Sequence, residues 1–323
     1  MSFTTAKKIA KDIKSLKIQG ASKVRKAVVE GIKVTVSESN AKSSNALREE
    51  IKTAAKILMV RPTEPETRTA VRIILKAAAK EGNAEEVKKY VLKEIADYEK
   101  NKTKAMQKIA ENSLKLFKNK KVVFTHCHSH TVEEIIKLAW KKNKIEHIIA
   151  TETRPRFQGR ITTLNLSKIG IPVTHIVDSA SASFISEADI FLSGADAVIA
   201  NGDVVNKIGT SLIAEFAKKK NIPYYACTSS HAFDPATYFG KEEVIEQRDV
   251  NEIWEQKIKN VTIKNPAFDV TEAKNVKGII TEKGIFTPKA FTSYMVKHLK
   301  LKGNKKEFVS LEKLLSGSKF YMS

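Results

Sequence analysis

The sequence predicts an α/β protein in two parts, an all-helical N-terminal domain followed by an α/β domain built on a doubly wound parallel sheet. Three observations carry this. Apolar residues recur at helical spacing from Thr4 to about Lys118. After Lys121 the rhythm changes to short apolar runs rich in β-branched residues. Helical stretches then alternate with those runs, as a parallel sheet covered on both faces demands.

Taken in order, Ile9, Ile13 and Leu16 mark a first helix, Val24, Val28 and Ile32 a second, and Ala54, Ile57 and Leu58 a third. Arg61-Pro62-Thr63 interrupts the pattern, and Thr63 or Thr67 starts a fourth helix through Ile73 to Ala79. Ala84 to Phe117 reads as one long helix with an exposed lysine and glutamate face. The expected strands are Val122–Thr125, Ile145–Ala150, Val173–Val177, Ala197–Ile199 and Pro223–Cys227. Between them lie helical stretches at Val132–Trp140, Ile161–Ile169 and Ile208–Lys219. These rhythms set the domains at 1–119 and 120–323. The join near Asn119 is no Gly/Ser linker, so close packing of the two parts is expected. Ligands belong beyond the carboxyl ends of such strands. No internal repeat, Walker loop or G-x-G-x-x-G fingerprint occurs.

Composition narrows the functional classes. The 323 residues are 42% hydrophobic and 29% charged with 13 Gly and 8 Pro, which excludes collagen-like, low-complexity and disordered chains. Cys127 and Cys227 make no disulfide framework, which points to a reducing, cytoplasmic setting. No apolar run reaches bilayer length, so no membrane partner is expected, and Met1–Gly20 is too lysine-rich for a signal peptide. The net charge is +21, and residues 1–121 hold 29 bases against 14 acids, net +15. Such a surplus favours anionic partners: phosphorylated metabolites, nucleic acid or an acidic protein. A lysine-rich surface of the kind found in heat-adapted proteins is the competing explanation. Aromatics are only 7%, and there is no zinc knuckle, RNP-like run or arginine-rich arm, so nucleic-acid readout is disfavoured.

Residues at strand ends carry the candidate chemistry. Thr125-His126-Cys127-His128-Ser129-His130-Thr131 follows the first strand and leads into a helix whose opening amides face an anion. The same field lowers a thiol's pKa, making Cys127 a proton-transfer group or nucleophile; the competing reading is a small buried apolar residue. Alternating spacing sends His126, His128 and His130 to different faces and no second ligand cluster appears, so no metal or cofactor is expected. Arg154 in Thr151-Glu152-Thr153-Arg154-Pro155 clamps a phosphate or carboxylate, or else pairs with Glu152. Asp196, flanked by Ala195, Ala197 and Val198, is poorly hydrated enough to donate a proton near neutral pH, with a turn or cap as the alternative. Asn201-Gly202-Asp203 is a tight-turn signal. Asn206-Lys207-Ile208-Gly209-Thr210 opens a helix with Lys207 in its first turn, a cation suited to holding an anion. In the helical half, Gly20, Ala21 and Ser22 precede a helix carrying Arg25, and Arg61 supplies a second guanidinium.

In their order along the chain these segments resemble one family. They are Gly20-Ala21-Ser22 with Arg25, Arg61-Pro62-Thr63, His126-Cys127, Glu152-Thr153-Arg154-Pro155, Val177-Asp178-Ser179-Ala180, Gly194-Ala195-Asp196-Ala197, Asn201-Gly202 and Asn206-Lys207-Ile208-Gly209-Thr210. Phe268-Asp269-Val270-Thr271 and Ile280-Thr281-Glu282-Lys283-Gly284 resemble its closing segment. The family groups the alpha, beta and delta subunits of translation initiation factor 2B with methylthioribose-1-phosphate and archaeal ribose-1,5-bisphosphate isomerases. The resemblance implies a helical domain on a Rossmann-like domain. It also implies an aldose–ketose isomerase on a phosphorylated pentose, with ribose 1,5-bisphosphate the nearest substrate. Cys127 would accept a proton and Asp196 donate one. Gly20, Ala21, Ser22, Arg25 and Arg61 would bind one phosphate, and Ser129, His130, Thr131, Asn206 and Lys207 the remainder. The resemblance further implies a homodimer, or a hexamer formed as a trimer of dimers. The family's other branch would make the chain a non-catalytic regulator that binds a nucleotide or sugar phosphate and contacts translation initiation factor 2. Two positions depart from the isomerase pattern: Gln19 stands for an arginine and Ala232 for a lysine.

Overall fold

The computed structural model describes residues 3–61, 65–256 and 258–302. The chain divides into two compact units, residues 1–104 and 105–300, with Leu301 and Lys302 counted with the first. The sequence reading set the division at Asn119. It falls instead inside a long helix, because the carboxyl end of that helix is claimed by the α/β core through Ile109 and Ala110. Residues 303–323 of the expected second domain lie outside the described residues.

The first unit is helical. Its elements are α1 (Thr4–Lys14), α2 (Ala21–Ser37), α3 (Ser44–Leu58), α4 (Pro65–Ala78) and most of α5 (Ala84–Ser113). Residues at helical spacing meet in one core that includes Val28, Ile32, Ile51, Leu58, Ile74, Val87 and Val91, all at most 1% exposed. Ser43 caps α3 by accepting from Ala46 N at 3.2 Å. Asn83 and Glu86 form a reciprocal capping box at α5, with bonds of 2.8 and 3.0 Å. The expected start at Thr63 lies outside the described residues, and Thr67 is already inside α4. The long helix stops at Ser113, short of Phe117, and gives way to a 3₁₀ turn at Leu114–Leu116.

The second unit runs β1 (Lys121–Thr125), α6 (His130–Lys141), β2 (Ile145–Thr151), α7 (Gln158–Ser167), β3 (Val173–Ile176), α8 (Ser181–Phe184) and β4 (Ile190–Gly194). It continues through β5 (Ala197–Val198), β6 (Val204–Lys207), α9 (Thr210–Lys219), β7 (Tyr224–Cys227) and α10 (Pro235–Tyr238). It closes with β8 (Phe268–Thr271), β9 (Gly278–Thr281), β10 (Gly284–Phe286) and α11 (Pro288–His298). Seven strands form one sheet in the order β10-β9-β7-β4-β1-β2-β3. Its pairs are parallel except β10–β9. This is the doubly wound α/β architecture that the alternating rhythm predicts. Val123, Ile135, Ile148, Leu192 and Ile280 fill its core, none of them more than 0% exposed.

One strand sits elsewhere than expected. Ala197–Val198 belongs to a separate three-stranded sheet, β5-β6-β8, whose pairs are antiparallel. The cause is the Asn201-Gly202 turn. Gly202 (φ 92°) donates to Ile199 O at 2.9 Å, and Asn201 Oδ1 accepts from Asp203 N at 3.0 Å. The chain therefore reverses into a hairpin, which cannot extend a parallel sheet. Among the described residues no helix is long and apolar enough to cross a membrane.

Candidate active site

From β1 the strand order runs to β2 and β3 on one side and to β4 on the other. The connections leaving β1 and β4 therefore part company at their carboxyl ends, which opens a crevice there. Thr125 lies opposite Leu192, so the same register continued sets Cys127 level with Gly194, two residues before Asp196. A Cβ on Gly194 would lie 2.9 Å from Ser129 Oγ, so the two strand ends come close and a larger residue there would displace the Ser129 side chain.

Cys127 leaves the strand in a left-handed conformation, φ 66°. Its N–H donates to Thr153 Oγ1 at 2.9 Å and its carbonyl accepts from Thr162 Oγ1 at 3.2 Å. Burial pushes the thiol up to about 11. The Lys207 ammonium and the His128 N–H pull it back, while the carboxylates of Asp196 and Asp178 push it further up. The thiol is thus protonated at neutral pH, with a cation and two carboxylates in electrostatic reach. Asp196 is half-buried and its N–H donates to Val205 O at 2.9 Å. In the amide orientation that suits its surroundings, Asn206 Nδ2 donates to Gly194 O and Asp196 Oδ2, both at 3.2 Å. Asn206 thereby ties the acid to the small sheet.

Lys207 is 7% exposed, and its ammonium lies 5.1 Å from the centre of the Phe268 ring. Among the described residues no carboxylate comes within ion-pair distance of it. The reading that put Lys207 in the first turn of a helix is corrected here. Lys207 ends β6 because it pairs with Phe268 across the ladder, and α9 begins at Thr210 after Gly209, φ 100°. Asp269, opposite Asn206 in that ladder, accepts from Gly209 N at 2.7 Å and from Ser211 N at 3.1 Å. Burial pushes its carboxyl up to about 6 against the pull of those amides and of Lys207.

Ser129 caps α6, accepting from Val132 N at 3.4 Å. His130 and Thr131 are that helix's first two residues, where leading amides lack intrahelical acceptors. Arg154 is exposed beside the Phe157 ring, 5.1 Å from its centre, and its N–H donates to Asp178 Oδ2 at 2.6 Å. The alternative pair with Glu152 is not what forms, since Glu152 meets Arg160 at 3.4 Å. The three histidines diverge: His126 contacts Thr151 and Ile208, His128 contacts Thr162 and Glu133, and His130 is exposed. Among the described residues no group of three His, Cys, Asp or Glu is placed to hold a metal.

The remaining candidates belong to the helical unit. Gly20 (φ 85°) precedes α2, which Ala21 and Ser22 open. Arg61 is buried, and Pro62 and Thr63 lie outside the described residues. Arg25, expected to bind an anion with Gly20, Ala21 and Ser22, already has carboxylates of the chain beside it. Arg25 is 5% exposed, 2.6 Å from Glu99 and 3.6 Å from Glu66, with the Tyr98 ring beside it. Ala232, at the departure from the isomerase pattern, is 1% exposed.

Three contributors escaped the sequence reading as chemistry. Asp178 receives both Thr153 N (2.8 Å) and Arg154 N, fixing the loop beneath Cys127. Asp269 fixes the start of α9. Glu133, 2% exposed, holds His128 at 3.2 Å, and despite burial its carboxyl stays below the usual range because His128, Asn165 and Lys137 surround it. An acid two residues past a strand, or in the first turn of a helix that follows a histidine, is the signal that marks the first and third.

The sequence profile described as the initiation factor 2 subunit family matches residues 17–288. A ribose 1,5-bisphosphate isomerase from Pyrococcus furiosus is 37% identical over 292 residues, covering 87% of this chain and 90% of the relative. Among solved structures, the translation initiation factor eIF-2B of Pyrococcus horikoshii has a TM-score of 0.76 at 28% identity, covering 88% of this chain and 98% of its own. A 5-methylthioribose 1-phosphate isomerase of the same organism has a TM-score of 0.77 at 26% identity, covering 91% and 88%.

Proposed function

We propose that this chain, which belongs to the initiation factor 2 subunit family, is a sugar-phosphate aldose–ketose isomerase converting ribose 1,5-bisphosphate to ribulose 1,5-bisphosphate without a cofactor. The observation that carries the reading is placement: the strand register sets Cys127 level with Gly194, two residues before Asp196, whose Oδ2 lies 3.2 Å from Asn206 Nδ2.

The chemistry divides between two groups. Asp196 gives a proton to the ring oxygen as the ring opens at C1. Cys127, as thiolate, takes the proton from C2, leaving a C1–C2 double bond with a hydroxyl on C2. The thiol then returns its proton to C1 while the C2 hydroxyl proton goes back to Asp196, and the ketone forms. Each group ends as it began. Burial keeps the thiolate scarce, so the base is strong when formed, and Lys207 supplies the charge that makes it accessible. Asn206 holds the acid in place, and the leading amides of α6 with Lys207 receive phosphate. Gly20, Ala21, Ser22 and Arg61 form an anion-binding set of their own within the helical unit, beside Arg25 with its ion pairs to Glu99 and Glu66. The active species is a homodimer, or a hexamer of three dimers.

A second reading has one observation in its favour, the likeness to the solved translation initiation factor: a non-catalytic subunit that binds a sugar phosphate or nucleotide and contacts initiation factor 2. Incubating the pure protein with ribose 1,5-bisphosphate and following ribulose 1,5-bisphosphate separates the two. Turnover is expected, and Cys127→Ser and Asp196→Asn each lower kcat by about 10³-fold, the scale of a lost proton-transfer group. Turnover that both changes leave intact defeats the assignment of the pair. Absence of turnover on any ribose 1-phosphate, with binding retained, favours the regulator.

A further inference from the structure

His126 is a buried titratable side chain for which the reaction above has no use. It is 2% exposed and stands directly before Cys127. Its Nε2 lies 2.9 Å from Ile208 O, and its Nδ1 lies 2.6 Å from Thr151 Oγ1. A carbonyl can only accept, so Nε2 carries the hydrogen. Burial, aided by Lys207, holds the imidazole below its ordinary pKa against the Ile208 carbonyl and Asp178; in the neutral ring with Nε2 protonated, Nδ1 accepts from Thr151. Asp178 Oδ1 is 3.7 Å from Nδ1, too far for a hydrogen bond, and is already engaged by Thr153 N. With the Thr151 proton spent on His126, the 3.4 Å contact between the two threonine hydroxyls leaves Thr153 Oγ1 as its donor. Thr153 Oγ1 in turn accepts from Cys127 N.

The bonds therefore form one directed relay: Cys127 N–H to Thr153, Thr153 to Thr151, Thr151 to His126, His126 to Ile208. Ile208 follows Asn206 and Lys207 directly. The ring also packs under Gly209, where an added Cβ would sit 3.2 Å from Nε2, so the approach requires glycine.

We infer that His126 is a positioning residue, the neutral strut that fixes the distance between the Cys127 turn and the strand end bearing Asn206 and Lys207. It touches no substrate. Its effect is to keep a thiol from one sheet and a cation from the other in a single arrangement, and this rests on the isomerase reading.

The test compares His126→Gln, His126→Asn and Thr151→Val, with kcat, KM, thermal midpoint and the rate at which iodoacetamide alkylates Cys127. A glutamine amide places its nitrogen where Nε2 was and reaches Ile208, whereas asparagine reaches only toward Thr151. His126→Asn is expected to lower kcat about 100-fold with KM within about threefold, and His126→Gln to recover to within about tenfold of the parent, the scale of an ångström's misplacement. Thr151→Val falls between, and Cys127 alkylates several-fold faster in His126→Asn and Thr151→Val as its turn loosens. Equal kcat losses in the asparagine and glutamine variants, or wild-type kcat in folded His126→Asn and Thr151→Val, overturn the inference. Should no variant or parent isomerise any sugar phosphate, the alkylation rates decide alone: a rise supports the strut, and unchanged rates in both loosened variants refute it.

Discussion

Arg25 in the helical unit and Lys207 in the α/β unit are both buried cations, yet their surroundings differ in kind. Arg25 has Glu99 at 2.6 Å, Glu66 at 3.6 Å and the Tyr98 ring beside it. Although burial pulls its pKa down, Tyr98 and the two glutamates hold it above the ordinary value. Lys207 has an aromatic face, the Cys127 thiol and the Asp269 carboxyl, the last beyond ion-pair distance. A cation with its counter-ions in place is structural, because its charge is already answered. One buried without them stores an unmet demand that an incoming anion satisfies.

That contrast is breakable at both ends. Lys207→Met should have the largest effect, lowering kcat/KM for ribose 1,5-bisphosphate by about 10²–10³-fold, as for other fixed charge-stabilising groups. Its urea midpoint should be unchanged or higher, and the thiol's alkylation inflection should move to higher pH than the parent's, because Lys207 pulls the thiol's pKa down. A Lys207→Met protein that loses stability in place of activity would make Lys207 another Arg25. Arg25→Met should do the reverse, costing about 2 kcal/mol in urea denaturation as Glu99 loses its charge-assisted bond while Glu66 keeps Lys102, with Cys127 alkylation at the parental rate. The smallest effect sharpens the Lys207 side. Asp269 protonates at about 6 in the folded chain against 3.8 unfolded, so the native state gains a proton first as pH falls. Parent stability relative to Asp269→Asn should therefore rise between pH 7 and pH 4, by about 1–2 kcal/mol for this partly screened group. A difference that is flat across that range would place the ionised carboxylate at no cost.

The comparison also locates what a linear chain can and cannot disclose. Helical spacing exposes Val28, Ile32 and Leu58 because the period is local, and apolar runs expose β1, β2 and β7 for the same reason. Cys127 and Asp196 are readable because residues after parallel strands end at the crevice whatever the details. Arg25 looks open in sequence because Glu99, its strongest partner, is 74 positions away. Lys207 looks helical because the strand that makes it extended, β8, begins only at Phe268. The His126 relay crosses three strand ends, so no window of consecutive residues contains it. Long-range pairing, not local preference, decided each of these.

Cys127 follows a strand of the large parallel sheet and Asn206 and Lys207 end a strand of the small antiparallel one, while Asp196 lies between β4 and β5 and bonds to Val205 of the small sheet. Substitutions along β6 can therefore alter Asn206 and Lys207 without touching the strands of the large sheet that lead to Cys127. Such a division of labour lets neighbouring lineages change their preferred metabolite, or abandon turnover and keep only recognition, while the scaffold remains one and the same.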